Sequence, residues 1–237
     1  ALYVLCPGQW DRHGVAPLRR WYVLESLLEL GHTLASRGVD LHVIDGGDFE
    51  GTVGVVTDFV RQHNITDVFC NREYPLNELN RDRAVARELE AEGVRIHGFD
   101  DGVLVPPRSL NTGKGTPYTV FTAYKRRWDQ WMEEYGPQVP EAPRWPRRRG
   151  RFVGHDTVDG ALSALSLGQA PRALWLPGED AAVRRLKVFV EEHIGDYKRL
   201  RDVPAETATS ELSVALSAGT LAPAEAWRAA RMAMRDP

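Results

Sequence analysis

The protein has 237 residues, 43% of them hydrophobic and 27% charged, with a formal net charge of −3 at pH 7. This length accommodates one large or two smaller globular domains. A net charge this close to zero argues neither for nor against nucleic acid as a partner. No apolar run approaches the roughly 20 residues of a membrane-spanning helix, and no charged segment followed by an apolar one predicts secretion, so we expect a cytoplasmic protein with no membrane partner.

Short apolar runs alternate with amphipathic segments through the first hundred residues. The predicted strands are residues 1–6, 39–45, 66–71 and 94–100, and the predicted helices between them are residues 17–38, 52–64 and 77–93. Strands that alternate with helices along the chain form right-handed crossovers, which give a parallel sheet. The pattern therefore predicts an α/β domain whose ligands bind beyond the carboxyl ends of the strands.

The pattern changes after Asp101. The following segments are predicted to be a loop at 102–121, a helix at 122–134, a linker at 136–172 and helices from residue 176 onward, the last at 222–234. The linker is predicted because its residues are rich in Pro, Arg and Gly and lack sustained periodicity. The arginine-rich run 144–151 inside it is interpreted as a solvated basic segment, with a DNA contact as the alternative.

The sequence offers little sign of a metal or a phosphate loop. The seven histidines are dispersed, and Cys6 and Cys70 lie in apolar strand-like runs without metal-ligand spacing, so we expect no metal site and two buried, reduced thiols. The segment "NTGKGTPY" resembles a phosphate loop, but Gly115 separates Lys114 from Thr116, and that motif needs the lysine and the hydroxyl side by side. An ordinary ordered loop is predicted there.

The segment "NREYPLNELNRDRAV" (71–85) follows the third predicted strand, at the ligand-binding end of the sheet. Asn77 and Glu78 open the next helix. These residue types satisfy helix capping and the helix dipole, which is one interpretation. The other is a carboxylate placed to accept two hydrogen bonds from a ring with an amino-pyrimidinone edge.

The segment "YKRLRDVPAETATSELSVALSAG" (197–219) is rich in hydroxyls close to a predicted helix start. Thr209, Ser210 and Ser213 would line that start, where free N–H groups favour an anion, and Tyr197 could add a phenolic donor. A plain N-cap, which needs only one hydroxyl, is the alternative.

Five stretches together resemble the DNA photolyase/cryptochrome family, most closely its bacterial class I cyclobutane-dimer photolyases. They are "QWDRHGVAPLRRWYVLESLLELGHTLASRGVDL", "NREYPLNELNRDRAV", "GFDDGVLVPP", "GKGTPYTVFTAYKRRW" and "YKRLRDVPAETATSELSVALSAGTLAP". The resemblance implies a Rossmann-like α/β antenna domain at 1–135, an interdomain linker at 136–172 and the beginning of an all-α FAD-binding domain at 173–237.

The resemblance also implies site residues. The predicted FAD contacts, chiefly to its phosphates, are Tyr197, Thr209, Ser210, Glu211, Leu212 and Ser213. Asn77 and Glu78 are predicted to hold the pterin of a folate antenna, 5,10-methenyltetrahydrofolate, with His13 as a weaker contact, and Arg201 is predicted to contact DNA. The family usually has Gly where this chain has Ala208, and Pro-Tyr where it has Val214-Ala215.

Such proteins use light to pass an electron from reduced FAD to a pyrimidine dimer, which then splits. The function expected from the resemblance is therefore deoxyribodipyrimidine photo-lyase, acting as a monomer on UV-damaged DNA. The alternatives are a cryptochrome-type photoreceptor and a non-catalytic α/β ligand-binding module. The family's first strand and the region that holds its redox residues have no counterpart in these 237 residues, so we predict no catalytic residue here and expect the isolated chain to be inactive.

Overall fold

The computed structural model of the protein describes residues 1–137, 144–165, 167 and 175–235. The first elements are β1 (Leu2–Leu5), α1 (Pro7–Arg12), α2 (Pro17–Ser36), β2 (Leu41–Asp45), α3 (Phe49–Gln62), β3 (Asp67–Asn71), α4 (Leu76–Ala91), β4 (Arg95–Phe99) and α5 (Phe121–Glu134). The later ones are β5 (Phe152–Val153), α6 (His155–Ala164), α7 (Glu179–Val188), a π-helical turn (Phe189–His193), α8 (Tyr197–Leu200), α9 (Ser213–Ala218) and α10 (Pro223–Arg235). The predicted α/β alternation over the first hundred residues is confirmed, with α1 as an unpredicted addition.

The strands are parallel, as predicted, but those of the described residues form two sheets rather than one. One sheet has the order β1-β2-β5, with Leu2 opposite His42, and the other pairs β3 with β4, with Asp67 opposite Arg95. In the described part of the chain, β1 and β3 therefore each pair along one edge only. The carboxyl ends of β1 and β3 lead into α1 and α4, the helices that carry the predicted antenna residues.

The largest core lies between α2, the first sheet and α6. Its buried members are Leu5, Leu24, Leu27, Leu41, Val43 and Val158. Full burial of a side chain of this kind stabilises the fold by about 1.5–3 kcal/mol. A second core, made by Val60, Leu89 and Val94, packs α3 and α4 on β4.

Part of the segment predicted as a linker is folded onto the α/β layers. β5 extends the first sheet, with Phe152 opposite Leu41, and α6 buries Val158 in the main core. The lack of sustained periodicity did not reveal these two elements, because β5 is only two residues long and α6 is a short helix after a run of Pro and Arg. Residues 138–143, 166 and 168–174 of the predicted linker lie outside the described residues.

The carboxyl-terminal helices have their own small core and also contact α2. Their buried residues are Ala182, Leu186, Leu212, Ala215 and Leu221. The hydroxyls of Tyr22 and Thr220 are 3.1 Å apart, and Arg19 donates to Ser217 at 3.0 Å. The first half of α2 therefore contacts the carboxyl-terminal helical region.

The two cysteines differ in environment. Cys6 is buried, with its thiol 3.3 Å from the Thr52 hydroxyl, as predicted. Cys70 is exposed, and the prediction that it is buried was wrong because β3 lies in a two-stranded sheet that leaves its residues 69–71 open. None of the helices in the described segments is both long and apolar enough to cross a membrane.

Candidate functional site

The structure brings together two predicted antenna residues from separate elements. His13 lies at the end of α1 and Asn77 in the first turn of α4, 64 residues further along the chain. The Asn77 side-chain amide donates to Nε2 of His13 at 3.3 Å. Asn77 therefore does not cap α4, whose N-cap position is taken by Pro75 without a side-chain capping bond.

The loop before α4 is tied to the end of β4, which fixes where Asn77 and Glu78 stand. Arg72 contacts one carboxylate oxygen of Asp100 at 2.8 Å, and the Tyr74 hydroxyl donates to the other at 2.9 Å. Burial, and then the bond to Asp100, raises the pKa of Tyr74 to about 12. The loop that leads into α4 is thus anchored at the carboxyl end of β4.

Charged groups surround this turn. Glu78 is partly buried at the third position of α4, where the helix dipole favours a carboxylate, and no described residue hydrogen-bonds to it. Burial raises the pKa of the nearby Glu73; Arg81 opposes that rise, while Asp82 and Glu78 add to it. The guanidinium of Arg81 also lies 4.7 Å from the centre of the Phe49 ring.

The hydroxyl-rich segment lies beside a cavity of about 370 Å³. Ser210 and Ser213 line it from one side, and its apolar wall includes Leu186, Phe189, Val190 and Ala226. Leu212, which is buried, takes the N-cap position of α9, and no side-chain capping bond is formed. The hydroxyls of Thr209 and Ser213 are exposed and bonded to no other described group.

A residue that the sequence analysis missed holds this segment in place. Arg185 on α7 donates to the carbonyl of Ser210 at 3.0 Å and contacts the Glu211 carboxylate at 2.7 Å. Glu211 has a positive φ of 52°, a conformation that costs energy for a residue with a side chain. Arg185 therefore fixes a strained turn and neutralises its only carboxylate. Nothing near Arg185 in the sequence signals this role, because its partners lie 25 and 26 residues away.

Tyr197 and Arg201 stand next to this cavity but do not line it. The Tyr197 ring packs edge-on against Phe189, with ring centres 5.8 Å apart, and the Arg201 guanidinium lies 5.9 Å from the Tyr197 ring. Phe189 begins the π-helical turn, a feature often found at functional sites. Thr209 lies outside the cavity wall, so of the six predicted FAD residues only Ser210, Leu212 and Ser213 line it.

One histidine lies close to two carboxylates, although the histidines are dispersed along the sequence. His155, Asp156 and Asp159 have ligand-type atoms within 4.8 Å of one another, and Nδ1 of His155 is 2.9 Å from Asp159. These three residues lie in the first turns of α6, where the helix dipole opposes a cation and favours the two carboxylates. A helix-terminus interaction accounts for the group.

Comparison with known proteins settles the relationship. The family model for DNA photolyase matches residues 1–144. The chain belongs to the DNA photolyase family. Curated relatives include the deoxyribodipyrimidine photo-lyases of Salmonella typhimurium, 33% identical over 231 residues, and Escherichia coli, 32% identical over 224 residues. Each alignment covers 94% of this chain and 46% of the relative, so the chain spans about half the length of these photo-lyases.

Solved structures agree on the fold of this photolyase-family chain. A bacterial class III photolyase from Agrobacterium tumefaciens is 25% identical with a TM-score of 0.73, and the match covers 96% of this chain and 46% of that one. A Synechocystis cryptochrome has a TM-score of 0.74 at 19% identity, covering all of this chain and 50% of its own. A Sulfolobus tokodaii photolyase, solved with two FAD molecules, has a TM-score of 0.68 at 22% identity, covering 96% of this chain and 47% of its own. The Rossmann-like α/β class is therefore confirmed.

Proposed function

We propose that this chain forms the antenna part, and the beginning of the flavin-binding part, of a deoxyribodipyrimidine photo-lyase, which repairs cyclobutane pyrimidine dimers with light. The contact between His13 and Asn77 carries the proposal, because it joins two residues of a predicted chromophore site across two helices. The identity of about one third to curated photo-lyases supports the lyase over the photoreceptor alternative. We propose that the antenna domain spans residues 1–135 and that residues 173–237 begin the flavin-binding domain. We also propose that the protein is cytoplasmic and acts as a monomer.

The first turn of α4 suits a reduced folate. Glu78 is a carboxylate without a hydrogen-bond partner among the described residues, and a carboxylate can accept two hydrogen bonds from an amino-pyrimidinone edge. Asn77 adds an amide that His13 already orients. We assign these three residues to 5,10-methenyltetrahydrofolate, which as an antenna absorbs light and passes the excitation to the flavin.

The cavity beside α9 suits the phosphate end of FAD. Ser210 and Ser213 offer hydroxyl donors at one wall, and the remaining wall is apolar, as is usual for cofactor pockets. Glu211 would repel a pyrophosphate, but its contact with Arg185 offsets that charge. We assign Tyr197, Thr209, Ser210, Glu211, Leu212 and Ser213 to this site. FAD would supply the electron for repair, and the protein groups bind and orient its phosphates.

Arg201 is proposed to contact a backbone phosphate of the damaged DNA. Its side chain is about half exposed, and its one ion pair to a described residue, Asp202, is long at 3.5 Å. A guanidinium with so weak a partner is available to a phosphate.

The test is repair of a thymine dimer by a polypeptide that contains this sequence and has the full length of the photo-lyase relatives. After reconstitution with reduced FAD, blue light should restore undamaged thymines, measured by loss of the dimer in chromatography of the digested DNA. The same mixture kept in the dark is the control. Flavin binding and photoreduction without any dimer loss would contradict the lyase and favour the photoreceptor.

A further inference from the structure

The arginine segment, defined as residues 144–151, is anchored on the turn between α2 and β2. The amide of Gly150 donates to the carbonyl of Ala35 at 2.9 Å, and the amide of Arg151 donates to the Asp40 carboxylate at 2.8 Å. Arg148 contacts the same carboxylate at 3.0 Å. The backbone of the segment is therefore attached to the fold, while residues 144–149 are exposed to solvent.

Two glycines make this close packing possible. A Cβ on Gly150 would lie 2.3 Å from the carbonyl oxygen of Val39. A Cβ on Gly38, whose φ is +81°, would lie 2.5 Å from the carbonyl oxygen of Arg148. Any larger residue at either position would push the arginine segment away from the turn. The segment consequently holds its arginines on a defined backbone, and less conformational entropy is lost when they bind a ligand.

The anchored segment concentrates positive charge. It contains five arginines in eight residues, and Arg37 at the end of α2 stacks on its Trp145, 5.0 Å from the ring centre. Among the described residues, Asp40 is the acidic residue that contacts this group, and it pairs with Arg148 and Arg151. Arg144, Arg147 and Arg149 are exposed and have no carboxylate partner in the part of the chain that the structure describes.

We propose that the arginine segment is a docking surface for the phosphate backbone of a DNA duplex, separate from any contact at Arg201. Guanidinium groups match phosphate geometry, and evenly spaced phosphates suit several arginines displayed along a fixed backbone. Contacts from arginines to backbone phosphates position a duplex without reading its sequence.

The position of the segment supports a separate site. The helical region contacts α2 between Arg19 and Glu29, whereas the arginine segment packs at Ala35 and Gly38. The two contact regions therefore do not overlap, and Glu29 and Ala35 are about 9 Å apart along a helix that rises about 1.5 Å per residue. The inference stands independently of the proposed repair activity, since it concerns undamaged duplex and a different set of residues.

The test is binding of the 237-residue protein to a short, undamaged, fluorescently labelled DNA duplex, measured by anisotropy from about 50 to about 200 mM salt. The variant Arg144→Gln/Arg147→Gln/Arg149→Gln should bind about tenfold or more weakly at low salt. The slope of log K against log salt should become less negative by about 2.7, since each lost phosphate contact contributes about 0.9.

A matched variant separates this surface from net charge. Arg83→Gln/Arg87→Gln/Arg228→Gln removes the same charge from exposed positions on α4 and α10, and its slope should stay close to that of the unmodified protein. Equal losses in both triple variants, or an unchanged slope in the first, would overturn the proposal. If polyglutamate bound as tightly as the duplex and lost affinity in the same variant, the partner would be an acidic protein and the nucleic-acid assignment would be wrong.

Discussion

Asn77 donates its side-chain amide to the imidazole of His13, 64 residues earlier in the chain. This bond joins the end of α1 to the start of α4 and leaves the neighbouring Glu78 carboxylate without a described hydrogen-bond partner. A carboxylate without a protein partner is ready to receive a ligand, because it need not give up a protein bond first.

Glu78→Ala should weaken binding of 5,10-methenyltetrahydrofolate by roughly tenfold to a hundredfold, because a hydrogen bond to a charged group contributes about 1.5–3 kcal/mol. The measurement is titration of the folate's near-ultraviolet absorption into a polypeptide with the full length of the relatives. Glu88→Ala, exposed on the same helix, is the control and should bind normally. Unchanged folate binding in Glu78→Ala, with flavin still bound, would remove Glu78 from the site.

The sequence predicted more of the fold than of the sites. The strands and long helices of the first hundred residues follow apolar periodicity, which local sequence carries, and this part of the prediction was correct. β5 could not be found in this way, since its two residues become a strand only by pairing with Leu41 and His42 over 100 residues away. The same limit applies to Cys70, because exposure of a strand depends on its neighbours in the sheet.

The site residues show the same division. Asn77 and Glu78 stood out because they open a helix beyond a strand, a position visible in the sequence. Arg185 did not, because its role depends on a turn 25 residues away that brings Glu211 to it. A site residue whose role depends on a contact between distant segments therefore could not be predicted from residue types along the sequence.

Leu24→Ala should lower the free energy of unfolding by about 2–5 kcal/mol, the usual cost of truncating a fully buried leucine and leaving a cavity. Leu24 is fully buried between α2 and the first sheet, in the core that also holds Val158. Urea unfolding followed by circular dichroism measures the change. Leu30→Ala on the same helix has a side chain that is 43% exposed and should cost much less. Equal losses at the two positions would contradict the packing described for α2.

Asp40→Asn should lower the melting temperature at neutral pH but not near pH 2. The Arg148 guanidinium, together with the amide of Arg151, lowers the pKa of Asp40 from 3.8 to about 2. A carboxyl whose pKa is depressed on folding stabilises the folded state above its unfolded pKa, and this contribution is lost as the pH falls from about 4 to about 2. Melting curves of both proteins across this range measure the difference.

Asp101→Asn is the control, because Asp101 is exposed in a turn and has no ion pair in the described residues; it should show no such dependence. A constant difference at all pH values would mean that Asp40 acts through something other than its charge.

Arg185→Gln should weaken FAD binding by about tenfold or more in a polypeptide with the full length of the relatives. Arg185 holds the Ser210 carbonyl and the Glu211 carboxylate, so its loss frees a strained turn and leaves a negative charge near the proposed pyrophosphate. Both effects act on the same segment, and loss of a hydrogen bond to a charged group alone costs about 1.5–3 kcal/mol. Flavin fluorescence quenching measures the affinity.

Arg184→Gln is the matched control, since it removes the same charge from the adjacent, exposed position on α7. The double variant Arg185→Gln/Glu211→Gln sharpens the test, because it removes the unpaired carboxylate that the single variant creates. If charge is the main cause, this double variant should recover much of the lost affinity, whereas if the turn geometry is the main cause it should not. Equal FAD affinity in Arg185→Gln and Arg184→Gln would show that the cavity beside α9 is not where the phosphates bind.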